Sequence, residues 1–102
     1  MTIWIKQGVL GTLNPYMMKA KGKLVDLYSV HGSSFYITSV MEGNHRAGSY
    51  HYEGGALDFK RRGVTKEEIK LCLEPLEIRF DGRYDVIEYP DMDIFHVEFD
   101  PI

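Results

Sequence analysis

The stretch SYHYEGGALDF, Ser49 to Phe59, sets His51 and Asp58 seven positions apart around Gly54 and Gly55. An imidazole nitrogen and a carboxylate oxygen are both donors that zinc accepts, and a catalytic zinc uses three protein ligands with the fourth position left to water. The glycines let the chain turn back between the two side chains so that they converge. ALDF is apolar except for Asp58, which places the carboxylate on a short strand and in a partly buried position. Burying an unpaired charge is costly, and a metal or a cationic partner offsets that cost. A third ligand belongs on a different element, and the only downstream histidine is His96, in IFHVEF.

Working outward, residues 1–13 alternate loosely and contain Gly8 and Gly11, which suits a short strand or an irregular arm. Asn14 followed by Pro15 is a helix start, since asparagine caps free N–H groups and proline fits the first turn. Met17, Ala20, Leu24 and Leu27 share one face, so the spacing predicts a helix to about Ser29. FYITSV, residues 35–40, reads as a buried strand, and MEGNHRAG, residues 41–48, as a loop leading into the ligand stretch. KRRGV is the turn after it. Thr65 and Glu68 form a capping box that opens a second helix, expected to run from about Lys66 to Cys72 or Leu73 and to end before Pro75. LEIRF, YDVIEY and IFHVEF then read as three strands, the last two as an antiparallel hairpin. On the last strand His96 shares a face with Ile94 and Glu98, while Phe95, Val97 and Phe99 take the other. That order gives an α+β fold with an antiparallel sheet and two main helices.

At 102 residues, 44% hydrophobic and 26% charged, the chain is long enough for one core, and 1–102 reads as a single soluble domain. A net charge of −3 and a pI near 5.7 provide no basic field for a nucleic-acid backbone or an anionic membrane. Lys60, Arg61 and Arg62 are the one tight basic cluster, and they read as a solvated turn. No segment approaches the ~20 apolar residues of a membrane span. The start, MTIWIKQGVLGTL, lacks a basic region followed by a sustained apolar run, so synthesis in the cytoplasm without a signal peptide is expected. A single cysteine, Cys72, excludes an internal disulfide. It falls on one helical face with Ile69, Leu73 and Leu76, the position of a buried structural thiol. The expected oligomeric state is a monomer.

Written as a pattern, Ser49 to Asp58 is S-x-H-x-x-G-x-A-x-D, and His96 follows on a terminal strand. Over residues 35 to 100 the chain resembles the zinc D,D-peptidase and hedgehog-like family, which includes D-alanyl-D-alanine carboxypeptidases, D-Ala-D-Ala dipeptidases and phage L-alanyl-D-glutamate endolysins. The resemblance implies a zinc held by His51, Asp58 and His96 on the antiparallel sheet of a small α+β fold. It also implies hydrolysis of a peptide bond in peptidoglycan stem peptides through a metal-activated water. In the family an acid lies three residues before the last histidine, and here that position is Asp93, which also reads as a turn aspartate in PDMD. Glu88 and Glu98 are the reserve carboxylates. Glu98 either takes part in the chemistry or orients a ligand, since it shares a strand face with His96.

The chain departs from the family at an arginine that follows the strand corresponding to FYITSV, where Glu42 stands instead. Arg46 is the candidate replacement for binding a substrate carboxylate. His45 reads as an oxyanion donor or as an exposed loop histidine, and Ser49 as a hydrogen-bond partner of the loop or of Asp58. The resemblance implies a phage or prophage product acting on the cell wall. Its alternative is a zinc-stabilised hedgehog-like module that binds without turnover.

Overall fold

The computed structural model describes residues 3–5, 13–41 and 55–101, with side chains described for 13–40 and 55–100. Its order is β1 (Ile3–Ile5), α1 (Pro15–Val30), β2 (Phe35–Met41), β3 (Ala56–Lys60), α2 (Lys66–Phe80), β4 (Gly82–Tyr89), a 3₁₀ turn (Pro90–Met92) and β5 (Ile94–Pro101). The strands lie side by side as β1-β2-β3-β5-β4. From β2 to β4 every pairing is antiparallel, and β1 adds a short parallel strand beyond β2. The fold is therefore α+β, two helices on an antiparallel sheet of four strands, as the sequence implies. Among the described residues no helix is long and apolar enough to cross a membrane.

Both helices begin where their caps place them. Asn14 Oδ1 accepts from the Met17 N–H at 2.9 Å and Pro15 occupies the first turn, so α1 starts with a satisfied donor. Thr65 and Glu68 exchange backbone hydrogen bonds in a complete capping box at the head of α2. The buried face of α1 is Met17, Ala20, Leu24 and Tyr28, and that of α2 is Ile69, Leu73 and Leu76. These pack on one face of the sheet against Phe35, Ile37, Leu57, Phe59, Tyr84, Val86, Phe95, Val97 and Phe99. Two tyrosine hydroxyls tie helix to sheet: Tyr28 donates to the Lys60 carbonyl at 2.6 Å and Tyr84 to the Tyr16 carbonyl at 2.7 Å.

The second helix does not stop before Pro75, and LEIRF is its last turns rather than a strand. A proline inside a helix costs ~3 kcal/mol through its missing N–H and the clash with the preceding turn. Burial outweighs that cost here. Continuing the helix puts Leu76 on the face of Leu73, where it is 4% exposed, and burying such a side chain contributes ~2 kcal/mol. It also brings Phe80 edge-on to Tyr16, with ring centroids 5.2 Å apart, and into the cluster with Phe99. Pro75 itself lies on the exposed side, where its ring displaces nothing in the core. The alternation Leu76, Ile78, Phe80 mimics a strand, but Ile78 is 77% exposed and plays no part in the core.

The helix ends at Asp81, in the left-handed region at φ 53°, with its N–H on the Glu77 carbonyl. Gly82 follows and opens β4. A Cβ on Gly82 would overlap the Phe99 ring and lie 3.1 Å from the Asp100 carbonyl oxygen, so only glycine lets the two strands close at this corner.

Two outcomes test these assignments. Pro75→Ala restores the missing donor in an exposed helix position, and thermal or denaturant unfolding should show a gain of about 1–3 kcal/mol. Glu68 is held below its ordinary value of 4.5, first by the Thr65 N–H and then by His31. Its contribution to stability is therefore complete above 4.5 and disappears as pH falls through the lower folded value. The difference in melting temperature between wild type and Glu68→Gln should be largest near neutral pH and close on acidification; a constant difference would remove the capping-box assignment.

Candidate functional site

The face of the sheet turned away from the helices carries the candidate site, and strand register builds it. Pairing of β3 with β5 sets Asp58 opposite His96, and pairing of β4 with β5 sets Ile87 opposite His96. On the far side, a register shift between Ile37 and Ser39 in β2 places Ser39 opposite Asp58 and Val40 opposite Leu57. The bulge lets Val40 join the core side while the polar Ser39 falls on the site side. Ser39, Asp58, His96 and Ile87 thus form one row across four strands.

In that row His96 is held at both ring nitrogens. Asp58 Oδ1 lies 2.6 Å from Nδ1, and Glu98 Oε1 lies 3.0 Å from Nε2. The side chains are 14% (Asp58), 10% (His96) and 14% (Glu98) exposed, so two carboxylates and one imidazole share a nearly dry patch. The Asp58 hydrogen bond raises the His96 pKa above its usual 6.5, burial opposes the rise, and Glu98 adds to it.

Two chemical states suit this geometry. In one, both ring nitrogens are protonated and the imidazolium bridges the two carboxylates. At 2.6 Å a proton lies between Nδ1 and Asp58 Oδ1, so in the other state a shared cation would take that proton's place once the two atoms separate, while Nε2–H donates to Glu98. The second is the arrangement of a metal-ligating histidine whose other nitrogen is fixed by a carboxylate. Glu98 then has an orienting role, one of the two that the sequence leaves open for it.

The remaining candidates are placed differently. Asp93 closes the 3₁₀ turn in the left-handed region at φ 56°. Its carboxylate accepts from Arg61 Nε at 2.9 Å, and its carbonyl accepts from the Arg61 N–H at 3.1 Å. Arg61 also donates to Glu88 at 2.6 Å, and these two carboxylates raise the guanidinium pKa, Glu88 more than Asp93. The structure therefore brings together Asp58, His96 and Glu98, and it gathers Asp93 and Glu88 around Arg61. His51, Arg46, His45 and Ser49 lie outside the described residues. Among the described residues no group of three or more His, Cys, Asp or Glu is arranged to hold a metal ion.

The Arg61 cluster is the part that sequence reasoning missed. Lys60–Arg62 reads as a solvated turn because its partners stand about 30 residues downstream, where nothing local announces them. Arg62 finds a partner as well, its guanidinium 5.8 Å from the centre of the Tyr36 ring. Cys72 is half-buried with its thiol pKa pushed up by burial, the character of a structural thiol. No family model matches the chain, and no curated protein and no solved structure matches it either.

Proposed function

We propose that this chain is a zinc-dependent peptidase that hydrolyses a peptide bond in peptidoglycan stem peptides, on a fold of the hedgehog and D,D-peptidase type. The observation that carries the reading is the convergence of Asp58 Oδ1 and His96 Nδ1 at 2.6 Å with Glu98 on the other ring nitrogen. That donor set fits zinc. Two carboxylates and an imidazole in a nearly dry patch are a setting that a divalent cation suits.

His51, Asp58 and His96 would hold the metal. Zinc, when bound, polarises the scissile carbonyl and lowers the pKa of a water at the site. The chain supplies the rest. β3 fixes Asp58, and Glu98 keeps the His96 ring in one tautomer, with Nδ1 turned to Asp58. Asp93 takes the proton from the attacking water and returns it to the leaving amine, the task of a carboxylate near the reacting atoms. For that step it must exchange its Arg61 side-chain contact, 2.9 Å long on a 55% exposed carboxylate, for the substrate. Arg46 provides the cation for a substrate carboxylate in place of the family arginine. A product of phage or prophage origin, acting in lysis or on the tail, fits this chemistry.

One observation favours a second reading. Asp93 is engaged twice by Arg61, through side chain and backbone, which gives it a structural role at the hairpin end. A zinc-stabilised module that binds without turnover needs Asp58 and His96 and has no use for a mobile Asp93.

Metal analysis and muropeptide analysis separate the two. Purified wild type should carry zinc, and His51→Ala, Asp58→Asn or His96→Ala should lose it. Glu98→Gln should weaken zinc binding by ~10–100-fold without abolishing it. On purified peptidoglycan, Asp93→Ala should keep its zinc and lose ~10²–10⁴-fold in turnover. Zinc binding with no change in any muropeptide leaves the module reading; absence of zinc from the wild-type protein removes both.

A further inference from the structure

We infer that two copies of this chain pair through the edge strand β4, about a two-fold axis at Ile87, so that their sheets join into one. Among the described strands β4 is the outer edge on its side of the sheet, and at eight residues it is one of the two longest strands. An edge of that length presents unpaired N–H and C=O groups to any strand that fits.

One outward group of this edge is already used within the chain. The Tyr84 N–H points away from β5 and donates to Glu77 Oε2 on α2 at 2.8 Å. Since alternate residues of an antiparallel ladder face outward, Val86 and Glu88 also present their N–H and C=O groups outward, and Arg83, Asp85, Ile87 and Tyr89 face β5. Among the described residues, the outward groups left for another strand are those of Val86 and Glu88.

Only one two-fold register uses them well. With the axis at Asp85, two carboxylates meet and Tyr84 must give up Glu77. With the axis at Val86, Tyr84 must again give up Glu77. With the axis at Glu88, two carboxylates meet and Val86 faces Pro90, which has no N–H. With the axis at Ile87, Val86 of each copy exchanges both main-chain hydrogen bonds with Glu88 of the other. The already satisfied Tyr84 N–H then falls opposite Pro90, where no hydrogen bond is asked of either. On the site face, Ile87 meets its own copy in a close non-hydrogen-bonded pair, and Asp85 lies across from the Tyr89 hydroxyl.

The surroundings agree with an occupied edge. A cleft of about 740 Å³ runs between α2 and β4, with Leu71, Leu73, Val86 and Ile87 on its walls among charged side chains that include Lys70, Arg83 and Glu98. Leu71 is 69% exposed, and Ile78, two turns further along the same helix, 77%. An incoming strand would lie along this cleft and reach Leu71 and Ile87 on its wall. The pairing is an alternative to the expected monomer and is independent of the zinc reading.

Analytical ultracentrifugation of the full chain over micromolar to millimolar concentration should show a monomer–dimer equilibrium. Ile87→Lys puts two ammonium groups face to face at the axis and should weaken the dimer at least about tenfold, with circular dichroism unchanged. In a Cys72→Ser background, Ile87→Cys should form a disulfide-linked dimer under mild oxidation, because opposed residues of a non-hydrogen-bonded pair lie ~4.5 Å apart at Cα, within disulfide range. Asp85→Cys in the same background should not, since its opposite residue is Tyr89. The inference is overturned by a monomer at every concentration, including one whose edge captures an extended peptide from another protein. It is equally overturned by a dimer indifferent to Ile87→Lys, or by one that Ile87→Cys does not cross-link.

Discussion

Strand β5 has no solvent face along its middle, and the rest of the structure follows from that constraint. It is hydrogen-bonded to β3 on one side and β4 on the other. Phe95 and Val97 are fully buried on the helix side, and His96 is 8% exposed on the other. A polar side chain in that position must be satisfied or neutralised, because a buried unpaired group costs more than an apolar replacement. The cross-strand position opposite His96 is Asp58 and the next residue on its own face is Glu98, and both contribute an oxygen. Burial of the strand and assembly of the candidate site are thus one event: the same two-residue period that sends three aromatic and aliphatic side chains into the core sends the histidine into the carboxylates.

What the sequence made legible is local. Asn14-Pro15 and Thr65-x-x-Glu68 announce the helix starts because a capping side chain must stand within three residues of the donor it satisfies. The alternation in IFHVEF announces which residues share the face of His96, for a strand has only two faces. LEIRF failed because a helix and a strand both accommodate Leu76, Ile78 and Phe80. The choice between them depended on where Tyr16 and Phe99 stand in three dimensions, which no window around Pro75 contains. The Arg61 cluster failed for the same reason, since Glu88 and Asp93 reach it only after β3 and β5 have paired.

The pairing of Asp58 with His96 occupies a middle position. Residue type and strand period suggested that both side chains are partly buried, and their meeting was an expectation drawn from a family pattern. Register makes it physical. A slip of one residue between β3 and β5 would turn Asp58 or His96 into the core, against Phe35 and Phe59, and expose an aromatic residue in its place. The large core cluster therefore protects the geometry of the polar row without touching it. Gly82 contributes at a distance, because it lets β4 close on Phe99 and so sets Ile87 opposite His96.

The charge of the site leaves a narrower question than the identity of its ligands. Asp58 and Glu98 are two carboxylates on one imidazole in a patch that water scarcely reaches, and Glu98 has a further interaction besides His96. Among the described residues, two basic side chains near the hairpin are engaged away from that row. Arg61 is engaged by Glu88 and Asp93 at the far end of the hairpin, and Lys60 reaches the Met92 carbonyl at 3.5 Å. The hairpin thus draws two cations away from the row that lies beside it on the same sheet. The fold uses Arg61 and Lys60 to close its last turn, while Asp58 and Glu98 hold a buried histidine. The polar row and the cationic turn are thus separate features of one sheet, each closed by partners that strand pairing brings within reach.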